Sequence, residues 1–293
     1  MEQSSYQPIK PVVVNYNNLS KCRDDLENAL KTHGFVAISE VPDFKSIFGR
    51  FLENAIKFVN LPEEDKDKCK PENYYSHGWS FGEEIFNEKL DAYKGSYYAD
   101  LPQTDQNIWP HILPEFEKAY MDLGNLIFNT GIKILEILEL KPDTLQCKCR
   151  MLYYGQVPQD DKNDNPNWCG LHRDHGLFTG LCPAVYIKDG KIVDKPEGTG
   201  LFIRDKEIDA PNDVLLFQVG EVAHLISDGK IIATDHYVKK AYGVERITLA
   251  TFMSPLDNYV IESNDHKEYD DRYKEGITYG EWCEKSYKKY YKM

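Results

Sequence analysis

No apolar run in the chain approaches the ~20 residues that a membrane-spanning helix needs. Its first residues, Met1-Glu2-Gln3-Ser4-Ser5-Tyr6-Gln7, also lack the basic flank and apolar stretch of a secretory signal. A soluble cytoplasmic protein with no membrane association is the expectation. Positive charge is scarce: 35 Lys and Arg against 48 Asp and Glu leave a formal net charge of -13. Phosphate binding needs a basic face, so nucleic acid is not an expected partner. Paired cysteines are missing as well. Seven cysteines are an odd number with no Cys-x-x-Cys pair, which reads as reduced thiols rather than a disulfide framework. Internal repeats, low-complexity tracts and linker-like segments are absent.

What is present is enough apolar material, 41% of 293 residues, for one sizeable core. The chain reads as a single domain over 1–293. Residues 1–142 are mainly helical, 143–255 form a β core and 256–293 a helical tail. Pro11 to Asn15 and Phe35 to Ile38 read as strands. Between them lies a helix that Ser20 can cap and Gly34 ends. Asp43 is a candidate cap for a second helix, whose apolar stripe runs from Phe44 to Val59. Residues 63–101 show no clean period and read as irregular with short strands. Their aromatics, Tyr74, Tyr75, Trp79, Phe81, Tyr93, Tyr97 and Tyr98, are more simply explained by packing than by a ligand pocket. A long helical pattern covers Leu113 to Leu140, with Gly124 and Gly131 as candidate bends.

After Pro142 short apolar runs alternate with turns. Strands are expected over Gln146–Tyr154, Leu181–Ile187, Lys191–Val193, Leu201–Ile203, Val214–Val219, Val222–Ile226, Ile231–Val238 and Arg246–Met253. Asp189-Gly190 and Ser227-Asp228-Gly229 supply turns. Gln159 to Asn165 is a polar loop by composition. Such a series of short strands suggests a double-sheet jelly roll, hence an α+β fold with helices packed on a jelly-roll core. Tyr269 to Met293 reads as a terminal helix whose lysines, Lys285, Lys288, Lys289 and Lys292, form a solvated face.

The chemistry concentrates in Gly170-Leu171-His172-Arg173-Asp174-His175-Gly176. On a strand, residues two apart share a face, so His172 and Asp174 can address one metal ion. His236, on a distant strand, can complete the face. Two neutral imidazoles and one carboxylate leave positions open for a co-substrate and O2, which suits non-haem Fe(II). Structural zinc would want four ligands, usually thiolates, and no cysteine is spaced for it. Catalytic zinc shares these ligand types. Arg246-Ile247-Thr248 adds a guanidinium and a hydroxyl on one face, a receptor for a carboxylate. A dicarboxylic keto acid that chelates iron at one end needs such a receptor at the other.

Each element alone has an ordinary explanation. His-x-Asp is common in turns and caps, and a strand Arg usually makes an ion pair. The fixed order of three elements is the specific signal. His175 and His224 are spare ligand candidates, whereas His33, His77, His111 and His266 have no supporting context.

These residues resemble the iron(II)- and 2-oxoglutarate-dependent dioxygenases of the isopenicillin N synthase-like group. His172-Arg173-Asp174-His175-Gly176 is similar to the first ligand motif, Ser227-Asp228-Gly229 to the turn before the distal His236, and Arg246-Ile247-Thr248 to Arg-x-Ser. Leu152-Tyr153-Tyr154-Gly155 resembles a strand ending in Asn-Tyr-Tyr-Pro, which implies that Tyr154 helps hold the keto acid. Looser likenesses cover Pro11–Val14 with His33-Gly34-Phe35, Gly82-Glu83-Glu84 with Asp91-Ala92-Tyr93-Lys94, and Ile277 to Trp282. The chain departs from the pattern at Thr248 for Ser, Leu152 for Asn, Gly155 for Pro, and Tyr237 where Arg often follows the distal His. The resemblance implies an oxidoreductase with Fe(II), 2-oxoglutarate and O2, oxidising a small organic molecule and releasing succinate and CO2. A monomer is expected. Alternatives are an oxidase of the same fold that uses no 2-oxoglutarate, a non-catalytic metal-binding jelly-roll module, and a zinc hydrolase, for which no carboxylate is obviously placed as general base.

Overall fold

The structure is a computed structural model describing residues 7–71, 76–86, 89–161 and 165–291. Tyr74, Tyr75, part of the 159–165 loop and Lys292 lie outside the described residues. The core is the jelly roll expected from the strand series. Its larger sheet runs, in spatial order, Val13–Asn15, Phe35–Ser39, Leu215–Val219, Phe178–Leu181, Glu245–Pro255, Leu145–Tyr154, Lys94–Leu101 and Gly78–Phe81. The hairpin Val185–Lys188 and Lys191–Val193 joins it on Glu245–Pro255. Asp189 and Gly190 turn that hairpin with positive φ at both positions, the geometry an Asp-Gly pair favours. The smaller sheet is Lys206–Glu207, Gly200–Ile203, His236–Lys239 and Asn167–His172.

The helix Pro114–Ile137 lies on the larger sheet and buries Phe116, Tyr120, Leu123, Ile127 and Ile134. It runs unbroken through Gly124 and Gly131, and both sit where it meets the sheet. A Cβ at Gly124 would be 2.7 Å from Cys149 Sγ, and one at Gly131 2.3 Å from Met253 Sδ. These glycines therefore serve close approach, not bending.

Several elements differ from the sequence reading. Ser20 lies in a 3-10 turn, Tyr16–Lys21, which Asn15 caps through its side chain; the helix proper is Arg23–Thr32 and has no side-chain cap. Asp43 occupies the N-cap position of Phe44–Val59, yet at φ 59° its side chain makes no capping bond. The expected strand 181–187 is broken at Cys182-Pro183-Ala184, since proline has no N–H for a ladder. Val222–Ile226 is part of a helix, Glu221–Ile226, because so short a mainly apolar run looks alike in a buried strand and a buried helix. Of 231–238 only the stretch from His236 is strand, in His236–Lys239. The residues before it bond elsewhere: Ile232 N–H to Leu30, and Thr234 N–H to Val219. The terminal helix begins at Tyr279, after a short turn at Lys267–Tyr269. Two of its lysines are paired, Lys288 with Glu284 and Lys289 with Asp271.

The 63–101 region is more ordered than its composition suggests. Lys94–Leu101 is an eight-residue strand buried along most of its length. Trp79, Tyr97 and Tyr98 are buried in or beside the core, as the packing explanation requires, while Phe81 is exposed. A polar cluster inside this region joins Glu84 and Lys94, of the loose family likeness, through residues that no local spacing predicts: Glu84 receives Arg150 Nη2 at 2.6 Å on both oxygens and Lys94 Nζ at 2.9 Å, and accepts from Ser96. Burial by itself would raise the Glu84 carboxyl, but Arg150, Lys94 and Ser96 more than offset this and hold it at about 2, against an ordinary 4.5.

Glu84→Gln leaves two buried cations short of a partner and should cost about 3–5 kcal/mol at neutral pH. The folded pKa lies below the unfolded one. The stabilisation is therefore complete above 4.5 and lost as pH falls towards 2. Urea unfolding of both proteins should show their stability gap closing across that window. A gap independent of pH would show that the charge of Glu84 is not what stabilises.

Candidate metal centre

His172 and His236 are direct cross-strand partners of the smaller sheet, with ring centroids 4.3 Å apart. His172 is the last residue of its strand, and Asp174 falls in the connection that follows. The shared face expected of an i, i+2 pair on one strand is thus not the reason the two converge. The chain turns after His172, and Glu221 N–H, at the start of a helix, holds the Asp174 carbonyl at 2.8 Å. The result is that His172, Asp174 and His236 each place a donor atom within 4.8 Å of the others. Asp174 Oδ1 is 3.7 Å from His172 Nε2, and its Oδ2 is 3.9 Å from His236 Nε2.

The surroundings fix the state of each donor. His172 Nδ1 is 2.8 Å from the Gly170 carbonyl and His236 Nδ1 2.9 Å from that of Thr234. A carbonyl only accepts, so each Nδ1 carries the proton and each Nε2 turns a lone pair towards Asp174. Burial pushes both imidazoles below their ordinary value, and for His236 the neighbouring His172 adds to it. Burial would raise the Asp174 carboxyl, yet His236 and His172, with a 2.6 Å hydrogen bond from Thr179 Oγ1, bring it below the usual range. Two neutral imidazoles and one carboxylate, facing one another with no proton among them, fit a divalent metal ion.

Arg246 and Tyr154 are cross-strand partners on the larger sheet. The guanidinium carbon lies 5.2 Å from the Tyr154 ring centroid, and that ring stacks on Trp168 at 5.0 Å. Arg246 is buried, and its Nε and Nη1 have no hydrogen-bond partner among the described residues; neither does the Tyr154 hydroxyl. Burial is the main reason the Tyr154 hydroxyl is pushed up to about 12, so it remains a donor at any physiological pH. Thr248 donates to the Cys182 carbonyl at 3.0 Å, which leaves its oxygen only as an acceptor. A small cavity of about 10 Å³ beside Trp168 is bounded by Asp91, Tyr93, Lys94, Asn167 and Lys240, room for one water.

The spare histidines face other partners. His175 Nδ1 is 3.6 Å from Glu221, and His224 Nε2 is 3.2 Å from Glu268. Nothing in the sequence singles out Thr179, Trp168 or Arg173 for the site. Thr179 lies five residues beyond Asp174, a separation that no strand or helix period connects. Trp168 precedes the ligand motif on a strand that the apolar pattern does not mark.

A model of the N-terminal region of non-haem dioxygenases, described for morphine synthesis, matches residues 10–115. The chain is 25% identical over 197 residues to homoarginine-6-hydroxylase 2-ODD-233 of Oryza sativa subsp. japonica, covering 58% of this chain and 60% of that protein. It is 27% identical over 261 residues to 2-oxoglutarate-dependent dioxygenase 11 of the same plant, covering 80% and 67%. It thus spans about two thirds or less of these relatives' length. A full-length Neurospora crassa protein, solved in complex with alpha-KG and thymine, superposes with a TM-score of 0.71 at 17% identity, over 97% of this chain and 98% of that one.

Because both imidazoles are already neutral below their ordinary value of 6.5, few protons must leave when a metal binds near pH 7. Affinity for Co(II), measured by calorimetry, should be nearly flat above pH 6.5 and fall as pH drops below it. A steep rise continuing from about pH 7 to 8 would mean that the histidines are protonated in the metal-free protein.

Proposed function

We propose that this chain is an iron(II)- and 2-oxoglutarate-dependent dioxygenase, coupling the turnover of 2-oxoglutarate and O2 to the oxidation of a small organic molecule, releasing succinate and CO2. Arg246 carries this reading. A buried guanidinium with two unsatisfied nitrogens, Nε and Nη1, and no carboxylate in ion-pair range among the described residues is costly unless an anion fills the space. It stands on the same face of the core as Tyr154, whose hydroxyl is equally unpartnered. Guanidinium and phenol together offer a carboxylate a forked, charge-assisted seat.

His172, Asp174 and His236 hold the metal, and Thr179 keeps the Asp174 carboxylate oriented. Bound iron supplies the redox chemistry on O2 and the keto acid. The protein's own part is positional. Arg246 and Tyr154 would hold the distal carboxylate of the keto acid. Trp168, stacked behind Tyr154, fixes the ring. The negative charge of the protein disfavours nucleic acid, and among the described residues no helix is long and apolar enough to cross a membrane. Homoarginine and thymine, in the names of similar proteins, are small molecules, in line with this substrate class. An oxidase without the keto acid would direct Arg246 at another carboxylate. A non-catalytic module is disfavoured by the complete donor set.

Arg246→Ala should raise the 2-oxoglutarate requirement by roughly 30-fold or more, given about 2–5 kcal/mol for removing one partner of a desolvated charge pair. Metal content should not change. The assay is succinate release stimulated by a panel of small metabolites. An unchanged requirement would assign the carboxylate to another residue, and stimulation by peptides alone would exclude a small-molecule substrate.

A further inference from the structure

Two residues that are not metal donors connect the segments that supply them. Arg173 lies between His172 and Asp174, and Asp235 immediately precedes His236. The Arg173 guanidinium meets the Asp235 carboxylate in a fork, Nε to Oδ1 at 2.7 Å and Nη2 to Oδ2 at 3.0 Å. Its third nitrogen, Nη1, reaches Glu268 at 3.0 Å and the Tyr269 hydroxyl at 3.1 Å, both in the turn that precedes the terminal helix.

Residues 173–177 belong to no strand, so sheet pairing does not hold Asp174. His236 is only the first residue of its strand, and the ladder with Asn167–His172 is irregular just beyond it. The His172–His236 rung is therefore the last that joins the two donor segments, and beyond it no ladder fixes Asp174 against His236. We propose that Arg173 is a positioning residue for the metal site: its fork onto Asp235 ties the His172–Asp174 segment to the His236 segment and sets the spacing of the three donors before metal arrives. This rests on the metal-site reading above. A cation beside a divalent metal would ordinarily weaken its binding. Here Asp235 and Glu268 both lie within 3.0 Å of the guanidinium and offset that charge, while the fork supplies direction that a point charge cannot.

The test keeps the charge and removes the fork. Arg173→Lys retains a cation but cannot make two parallel bonds, and Asp235→Asn, at a half-exposed position, removes the acceptor charge with little risk to folding. Co(II) binding, followed by its visible absorption, is compared for the wild-type chain, both variants and the double variant. Thermal unfolding of each metal-free protein serves as a separate readout. Each variant should bind Co(II) about 10- to 100-fold more weakly with an altered absorption band. The double variant should be no worse than the weaker single one, because the two residues act as one device. Metal affinity unchanged in both variants, with only melting temperature lowered, would reduce the fork to general stability and overturn the proposal. A wild-type chain that binds no Co(II) would instead refute the metal-site reading and this proposal with it.

Discussion

Everything at the site depends on the antiparallel pairing of His172 with His236. Two positions far apart in sequence become direct neighbours across one rung of the smaller sheet, and Asp174 is delivered to them by the turn that follows. Their Nδ1 protons go to the carbonyls of Gly170 and Thr234, so that Nε2 of each faces the carboxylate. A shift of the rung by one residue would send either ring to the opposite side of the sheet. On the larger sheet Arg246 and Tyr154 share a rung in the same way.

The protein is strongly acidic overall, yet it concentrates cations inside. Arg246, Lys94 and Arg272 are buried, Arg150 nearly so and Arg173 partly. Most are neutralised on the spot: Lys94 and Arg150 by Glu84, Arg272 by Glu221, and Arg173 by Asp235 and Glu268. Arg246 has no such partner among the described residues. That contrast separates structural ion pairs from a receptor, because a satisfied charge is finished whereas an unsatisfied one asks for a ligand.

The jelly roll is legible in the sequence because its strands carry apolar residues between strong turn residues, Asp189-Gly190 above all. The metal donors are legible by residue type and order, although a shared strand face is not what brings them together. Asp174 is held by Glu221 N–H from a helix that the sequence presents as a strand. Val222–Ile226 shows why: a mainly apolar run this short carries no period, and what makes it helical is bonding such as His224 N–H to the Gly220 carbonyl at 3.2 Å. The Glu84–Arg150–Lys94 cluster and the Arg173–Asp235 fork lie beyond sequence reading, since each joins residues whose separation follows no local rule.

The most direct test of the account is a crystal structure of the chain grown anaerobically with Fe(II), with the metal located by anomalous scattering at the iron edge. One site should appear, with His172 Nε2, His236 Nε2 and one Asp174 oxygen each within about 2.0–2.2 Å of it. A metal bound by His175 or His224, or no metal between His172 and His236, would contradict the account.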